Sequence, residues 1–217
     1  MLPIYYDAEF TGLHKNTTFI SIGLVTEKGS YFYAEFNDYD ESQVDDWIQK
    51  HVINNLQFNL FHDIYEKYEI GNNSYIVNMK GCSKDIKKEL LLWIENEVDQ
   101  SGEKQAHIFT DCYAYDWVLF NDLICENGEA LKIPNYINYI PIDLSTVLYL
   151  NNIDPDINRE KFVGNTSELE IAEINDKYIT KVLSKYNKHN SLWDAYIVYR
   201  CFGMLVNSMY RIKKGIN

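Results

Sequence analysis

The sequence is poor in the residues that punctuate or staple a chain, and poor in positive charge. Four prolines and ten glycines in 217 residues exclude collagen-like and low-complexity chains. The four cysteines, Cys82, Cys112, Cys125 and Cys201, are widely spaced, form no C-x-x-C pair and have no histidine at zinc-finger spacing. That excludes a disulfide framework and a structural zinc site, and it predicts reduced, mostly buried thiols. No run approaches the ~18 uncharged apolar residues that span a bilayer. The N-terminal MLPIYYDAEF lacks a basic segment followed by an apolar stretch, so neither a membrane span nor a secretory leader is expected and the expected location is the cytoplasm. Only 20 Lys and Arg stand against 32 Asp and Glu, a net charge of -12, which argues against a passive binder of long nucleic acid, because such binding rests on basic side chains neutralising phosphates. A site that grips phosphate through metal ions stays open, since carboxylates that hold cations add to the same acidic total.

What is present is core material. The chain is 46% hydrophobic and 15% aromatic, enough to bury a full core at a length that suits a single domain. Residues 4–10 (IYYDAEF), 18–26 (TFISIGLVT) and 30–36 (SYFYAEF) are runs of β-branched and aromatic residues, the last two joined by a turn-forming EKG, and they predict an antiparallel meander. From Ser42, Val44, Trp47, Ile48 and Val52 recur on one helical face. Residues 53–82 are Asn-rich and read as loop, with one short strand at 75–77. Ser83 then serves as N-cap to an amphipathic helix with Ile86, Leu90, Trp93, Ile94 and Val98 in one stripe, ended by Gly102.

AHIFT (106–110) suits a buried strand, followed by a helix over 115–126 stopped at Gly128, a strand at 139–142, and a helix begun by Leu144, Val147 and Leu148. Residues 151–165 read as loop, 167–186 as a helix opened by a Ser167/Glu170 capping box, and 190–213 as a long packed helix. Three antiparallel strands followed by alternating strands and helices predict an α/β fold with a mixed sheet flanked by helices. With no linker or repeat, residues 1–217 read as one domain, with 37–105 and 151–188 as elaborations on it.

Asp7 and Glu9 lie two apart on the first predicted strand, so their side chains leave the same face with Cα atoms ~6.5–7 Å apart, a spacing that suits a divalent cation. Read alone, the pair equally suits an edge strand with its charged face in water. Asp116, in CYAYDWVLFNDL, opens a helix, where an acidic residue also favours the macrodipole without any function. Asp111, five residues earlier, competes for any role given to it. Of the five histidines (14, 51, 62, 107 and 189), only His189 has an aspartate five positions on, Asp194, at the start of the last helix.

Taken in order, D-x-E on strand one (DAEFTGL, 7–13), Y-D-W opening a middle helix (AYDWVLF, 114–120) and H-x4-D opening the last helix (HNSLWDA, 189–195) resemble the three motifs of the DEDD-type 3′-5′ exonucleases. The resemblance is to the variant with histidine in the third motif, among the ribonuclease T and oligoribonuclease-like bacterial exoribonucleases. It implies a ribonuclease H-like fold, two divalent ions, Mg²⁺ or Mn²⁺, on Asp7, Glu9, Asp116 and Asp194, and His189 as general base. It further implies that Phe10, Thr11, Gly12 and Leu13 hold the terminal nucleotide, with Tyr115 and Trp117 as stacking candidates whose alternative is simple core packing. The implied substrate is a single-stranded 3′ end, RNA favoured over DNA, and relatives of this kind imply a homodimer. Two other functions fit the same residues: a DNA or oligonucleotide exonuclease, and a non-catalytic acidic binding protein on a nuclease fold.

Overall fold

The computed structural model describes residues 1–58, 63–69, 75–164 and 188–214. The predicted meander is formed by β1 (Leu2–Phe10), β2 (Phe19–Thr26) and β3 (Tyr31–Phe36), each antiparallel to the next. Four more strands complete a seven-stranded mixed sheet: β4 (Ile64–Glu69), β5 (Tyr75–Gly81), β6 (Ala106–Thr110) and β7 (Ile142–Asp143), in the order β4-β5-β3-β2-β1-β6-β7. β5 runs parallel to β3, and β6 runs parallel to both β1 and β7. The helices are α1 (Asp46–His51), α2 (Ser83–Ser101), α3 (Asp116–Ile124), α4 (Leu144–Leu150), α5 (Arg159–Val163) and α6 (Ser191–Lys214).

Strand alternation divides the core into two layers. Ile4, Tyr6 and Ala8 of β1, with Ile22 and Leu24 of β2, face Ile86, Leu90, Trp93 and Ile94 of α2 and Phe120 of α3. Tyr5, Val25, Tyr31 and Tyr33 point the other way, onto Leu192, Ala195, Tyr196 and Val198 of α6. Each such buried large side chain contributes roughly 1.5–3 kcal/mol, so the start of α6 is held firmly on the sheet. Asp7 and Glu9 share the Tyr5 side of β1, which is the α6 side.

Several expectations are corrected. Residues 53–82, read as mostly loop, contain two strands, β4 and a β5 that runs past 77 to Gly81. The first helix is shorter than its periodicity suggests: it starts at Asp46, where the Asp45 carboxylate accepts from Ile48 N at 2.7 Å. Ser83 is the first helical residue of α2 rather than its cap. Asp38, at the end of β3, supplies the acceptor instead, taking both the N–H and the hydroxyl of Ser83 at 2.9 Å. Gly102 closes α2 in the left-handed conformation, as expected of a C-terminal glycine. The 151–165 stretch contains the short α5. The helix expected over 167–186 lies outside the described residues. Cys125 and Cys201 are buried as expected, whereas Cys82 is half-buried and Cys112 exposed. Among the described residues, no helix is long and apolar enough to cross a membrane.

Candidate active site

β1 runs beyond its parallel neighbour. Its pairing with β6 ends at Tyr6 opposite Thr110, so from Asp7 onward β1 is paired on one side only, with β2. The chain leaves β6 at that level to begin α3, and the gap opens a cleft of about 460 Å³ at the carboxyl ends of two parallel strands, where open α/β sheets characteristically bind ligands. A register shift between Glu9 and Phe10 then turns Phe10 toward the rim.

The opposite wall of the cleft is the start of α6, and small residues on β2 bring it close. Gly23 pairs with Asp7 and Ser21 with Glu9. A Cβ at Gly23 would lie 2.3 Å from the carbonyl oxygen of Ser191, so no side chain fits there. The Ser21 and Ser191 hydroxyls meet at 2.9 Å. Asn190 caps the helix, its Oδ1 accepting from Leu192 N at 3.2 Å and Trp193 N at 3.3 Å. His189 is left-handed, with φ of 67°, a conformation uncommon outside glycine. Its N–H donates to Asp194 Oδ2 at 2.8 Å, so the turn that strains His189 also orients Asp194.

Five of the sequence-derived residues, Asp7, Glu9, Asp116, His189 and Asp194, line this one cleft. The ligand atoms of Glu9, His189 and Asp194 lie within 4.8 Å of one another, and His189 Nδ1 is 3.9 Å from Glu9 Oε1. Asp116 is 3% exposed, and its Oδ2 accepts from Thr110 Oγ1 at 2.7 Å and Cys112 N at 3.3 Å. Asp111 lines the cleft too, but its carboxylate is engaged by Arg159, from Nε at 2.8 Å and from Nη2 at 2.5 Å, and Arg159 is held in turn by Ile157 O and the Ser145 hydroxyl. Of the two candidates for the middle position, Asp116 is therefore the one without a cationic partner among the described residues.

The electrostatics follow from crowding. Burial and then the charges of Asp116, Asp194 and Glu9 hold the Asp7 carboxyl well above the usual range. Burial, Asp194 and Asp116 do the same to Glu9, with Lys188 opposing. Burial pushes Asp116 up to about 7 against its bonds from Thr110 and Cys112, and pushes Asp194 up to about 7 against the His189 N–H. The His189 imidazole is held below its ordinary value by burial, Lys188 and His51, which keeps it neutral near pH 7. Hard carboxylate oxygens that repel one another and meet little positive charge suit a divalent cation such as Mg²⁺ or Mn²⁺.

The remaining predicted residues divide. Phe10, Leu13 and Tyr115 line the cleft, with the Phe10 and Tyr115 rings stacked at 5.7 Å and Leu13 74% exposed. Thr11 is buried, its hydroxyl tied to Gln43 Oε1 and Thr18 N, its N–H to Thr18 O. Gly12 O accepts from His14 N. These bonds close the loop on itself and leave the Thr11 side chain a structural part. Trp117 does not line the cleft; it packs on Phe120 against the α2–α3 core.

Residues that sequence reasoning passed over include Trp47 and His51. The Trp47 ring lies edge-on to His189 at 5.0 Å and against His51 at 5.1 Å, with 51% of its surface exposed. Of the helical stripe to which it belongs, only Ile48 and Val52 are buried. Arg159 and Lys188 also line the cleft, and nothing in their local sequence distinguishes them. No family model matches the chain, and no curated protein does.

Proposed function

We propose that this protein is a metal-dependent 3′-5′ exonuclease of the DEDD type, with a ribonuclease H-like sheet, acting on single-stranded 3′ ends with RNA favoured over DNA. The observation that carries the reading is the convergence of Asp7, Glu9, Asp116, His189 and Asp194, from three distant stretches, on one cleft with little compensating positive charge. A mixed seven-stranded sheet with helices on both faces agrees with it.

Asp7, Glu9, Asp116 and Asp194 would hold two divalent cations, which when bound would supply charge to the phosphoryl oxygens and acidity to a water. His189, neutral near pH 7 and beside Glu9, accepts the proton that the water loses as its oxygen attacks phosphorus. The bond from phosphorus to the 3′-oxygen breaks, the shortened strand keeps that oxygen as its hydroxyl, and a nucleoside 5′-monophosphate leaves. Phe10, Tyr115 and Leu13 offer the terminal base an aromatic and apolar rim.

The test is a purified-protein assay on 5′-labelled single-stranded RNA and DNA, with Mg²⁺ or Mn²⁺ and with chelator. The expected result is a descending ladder that needs the cation and runs faster on RNA. Tight cation binding with no cleavage of either strand would favour the non-catalytic reading.

A further inference from the structure

Three buried polar residues outside the cleft form a chain of hydrogen bonds that ends on its base. Glu35 and Tyr33 on β3 are fully buried, and Asn190 is 1% exposed. Polar groups cost free energy to bury unless they are paired, and here each pairing dictates the next. The Glu35 carboxylate accepts from Phe58 N at 3.0 Å, from Gln57 N at 2.5 Å and from the Tyr33 hydroxyl at 2.8 Å. Because Glu35 accepts, the single proton of Tyr33 points toward it, and Tyr33 meets Asn190 with its oxygen lone pairs. Asn190 Nδ2 donates to that oxygen at 3.3 Å and to Asn55 O at 3.5 Å. Its other amide atom, Oδ1, is thereby turned to Leu192 N and Trp193 N at the start of α6.

The direction of the chain matters more than any single bond. An Asn190 amide rotated by half a turn would set its NH₂ against the helix N–H groups and lose the cap. Glu35 also fixes the 57–58 backbone, and Asn55 on the same segment donates to Lys188 O at 3.4 Å, so the turn that carries His189 is held from both ends.

We infer that Tyr33 and Glu35 are positioning residues for His189, acting through the orientation of the Asn190 amide. The inference rests on the reading of His189 as the proton acceptor. Neither residue touches substrate or cation.

The experiment compares Tyr33→Phe, which keeps the ring and removes only the hydroxyl, in the native and His189→Ala backgrounds. In the native background kcat should fall about tenfold with KM within about twofold, as expected when a base is displaced by a fraction of an ångström. In the His189→Ala background the same change should cost less than about twofold, because there is no base left to misplace. An equal loss in both backgrounds, or no loss in the native one, would overturn the inference, whatever the change in Tm. Should Tyr33→Phe not fold, Glu35→Gln carries the same comparison.

Hydrogen exchange on the cation-free protein gives a readout independent of activity. The amides of His189, Leu192 and Trp193 should exchange about tenfold faster in Tyr33→Phe, with the paired β1 amides unchanged. Unchanged protection at all three would equally overturn it. If the native protein cleaves nothing, the exonuclease reading fails, and the exchange result still decides whether the relay holds the turn.

Discussion

Under β3, the buried Glu35 carboxylate receives a tyrosine hydroxyl and two backbone N–H groups. In the cleft, Asp116 and Asp194 receive donors on Oδ2 only, and Asp7 and Glu9 receive no hydrogen-bond donor among the described residues. Glu35 and Asp116 are buried, Asp7, Glu9 and Asp194 are half-buried in the cleft, and burial raises every one of the five. Only in the cleft do they face each other. A carboxylate buried for architecture is surrounded by donors that the fold supplies, whereas a cluster left short of donors is stable only with protons or with an external cation.

The largest test removes the members of the donor-poor group. Asp7→Ala and Asp194→Ala should each lower turnover by about 10³-fold or more, and chelator should abolish it, since charge stabilisation at the phosphate would run mainly through the cations that these carboxylates hold. His189→Ala should leave Mn²⁺ affinity within a few-fold and lower the rate by roughly 10²–10⁴. Full cleavage by metal-stripped protein would end the two-cation reading. Loss of Mn²⁺ affinity in His189→Ala would instead make the histidine a ligand.

A finer version of the comparison separates Asp111 from Asp116. Asp116→Asn should lower turnover by about 10²-fold or more, with little change in Tm because Thr110 and Cys112 still have an oxygen to bond. Asp111→Asn should keep turnover within about threefold but lose stability, since the half-buried Arg159 guanidinium loses its carboxylate; ~1–2 kcal/mol is expected, or ~3–8 °C in Tm. The reverse pattern would exchange the two roles.

Much of this architecture was legible in the sequence, and the failures have physical causes. The meander announced itself by runs of β-branched and aromatic residues that are buried on both sheet faces, and α2 by apolar residues at a period of 3.6 along one buried face. β4 did not, because IYEKYE is an exposed edge strand whose side chains are mostly in water, and its pairing to β5 is made by backbone. The acidic residues could be named from their motifs, but not their states. Asp111 and Asp116 look alike in sequence until Arg159, 48 residues on, folds over and engages one of them. Trp47 carried no signal of its place beside His189, because periodicity identifies a helix face without saying which end of it reaches a distant turn. Glu35 gave no signal either: a lone acid in SYFYAEF reads as a solvent-facing position until Gln57, Phe58 and Asn190 close over that strand.

Titration should separate the two environments without any substrate. Asp116 and Asp194 have folded values of about 7 against roughly 4 when unfolded, and Asp7 and Glu9 are shifted the same way. Between those values the folded chain keeps protons that the unfolded chain has released, so stability is greatest at low pH and falls as pH rises through the window. His189, shifted down, opposes this weakly as pH drops below about 6.5, one group against four. In chelator, Tm should therefore fall by about 5–10 °C from pH 5 to pH 8, and Mg²⁺ or Mn²⁺ should restore more of it at pH 8 than at pH 5. A cation-free Tm that rises across this range would mean that the cleft carboxylates are compensated after all. Asp7→Asn should flatten the profile and Glu35→Gln should change it less, because only the former belongs to the mutually repelling set.

The smallest expected effect concerns the cations around the two groups. Glu35 has Lys80 beside it, and the cleft has Arg159 and Lys188 on its lining. Arg159 is already held by Asp111, Ser145 and the Ile157 carbonyl, which leaves Lys188 as the one exposed cation on that lining among the described residues. Each phosphate neutralised by a basic side chain steepens the dependence of single-strand affinity on salt by about 0.7 in the log–log slope. One or two such contacts give a slope of about -0.7 to -1.4, far shallower than a basic track would give. On the proposed exonuclease reading, affinity would come from the cations and the Phe10–Tyr115 rim, so only the last two to four or so nucleotides of a strand should count, and the protein should release its substrate after each cut. The measurement is the affinity of cleavage-resistant oligonucleotides of increasing length, in Mg²⁺, against added salt. Lys188→Ala should make the slope shallower by about 0.7 without changing how affinity depends on length. A slope near -5, or affinity still climbing beyond ~8 nucleotides, would show that a long strand finds positive charge well outside the cleft.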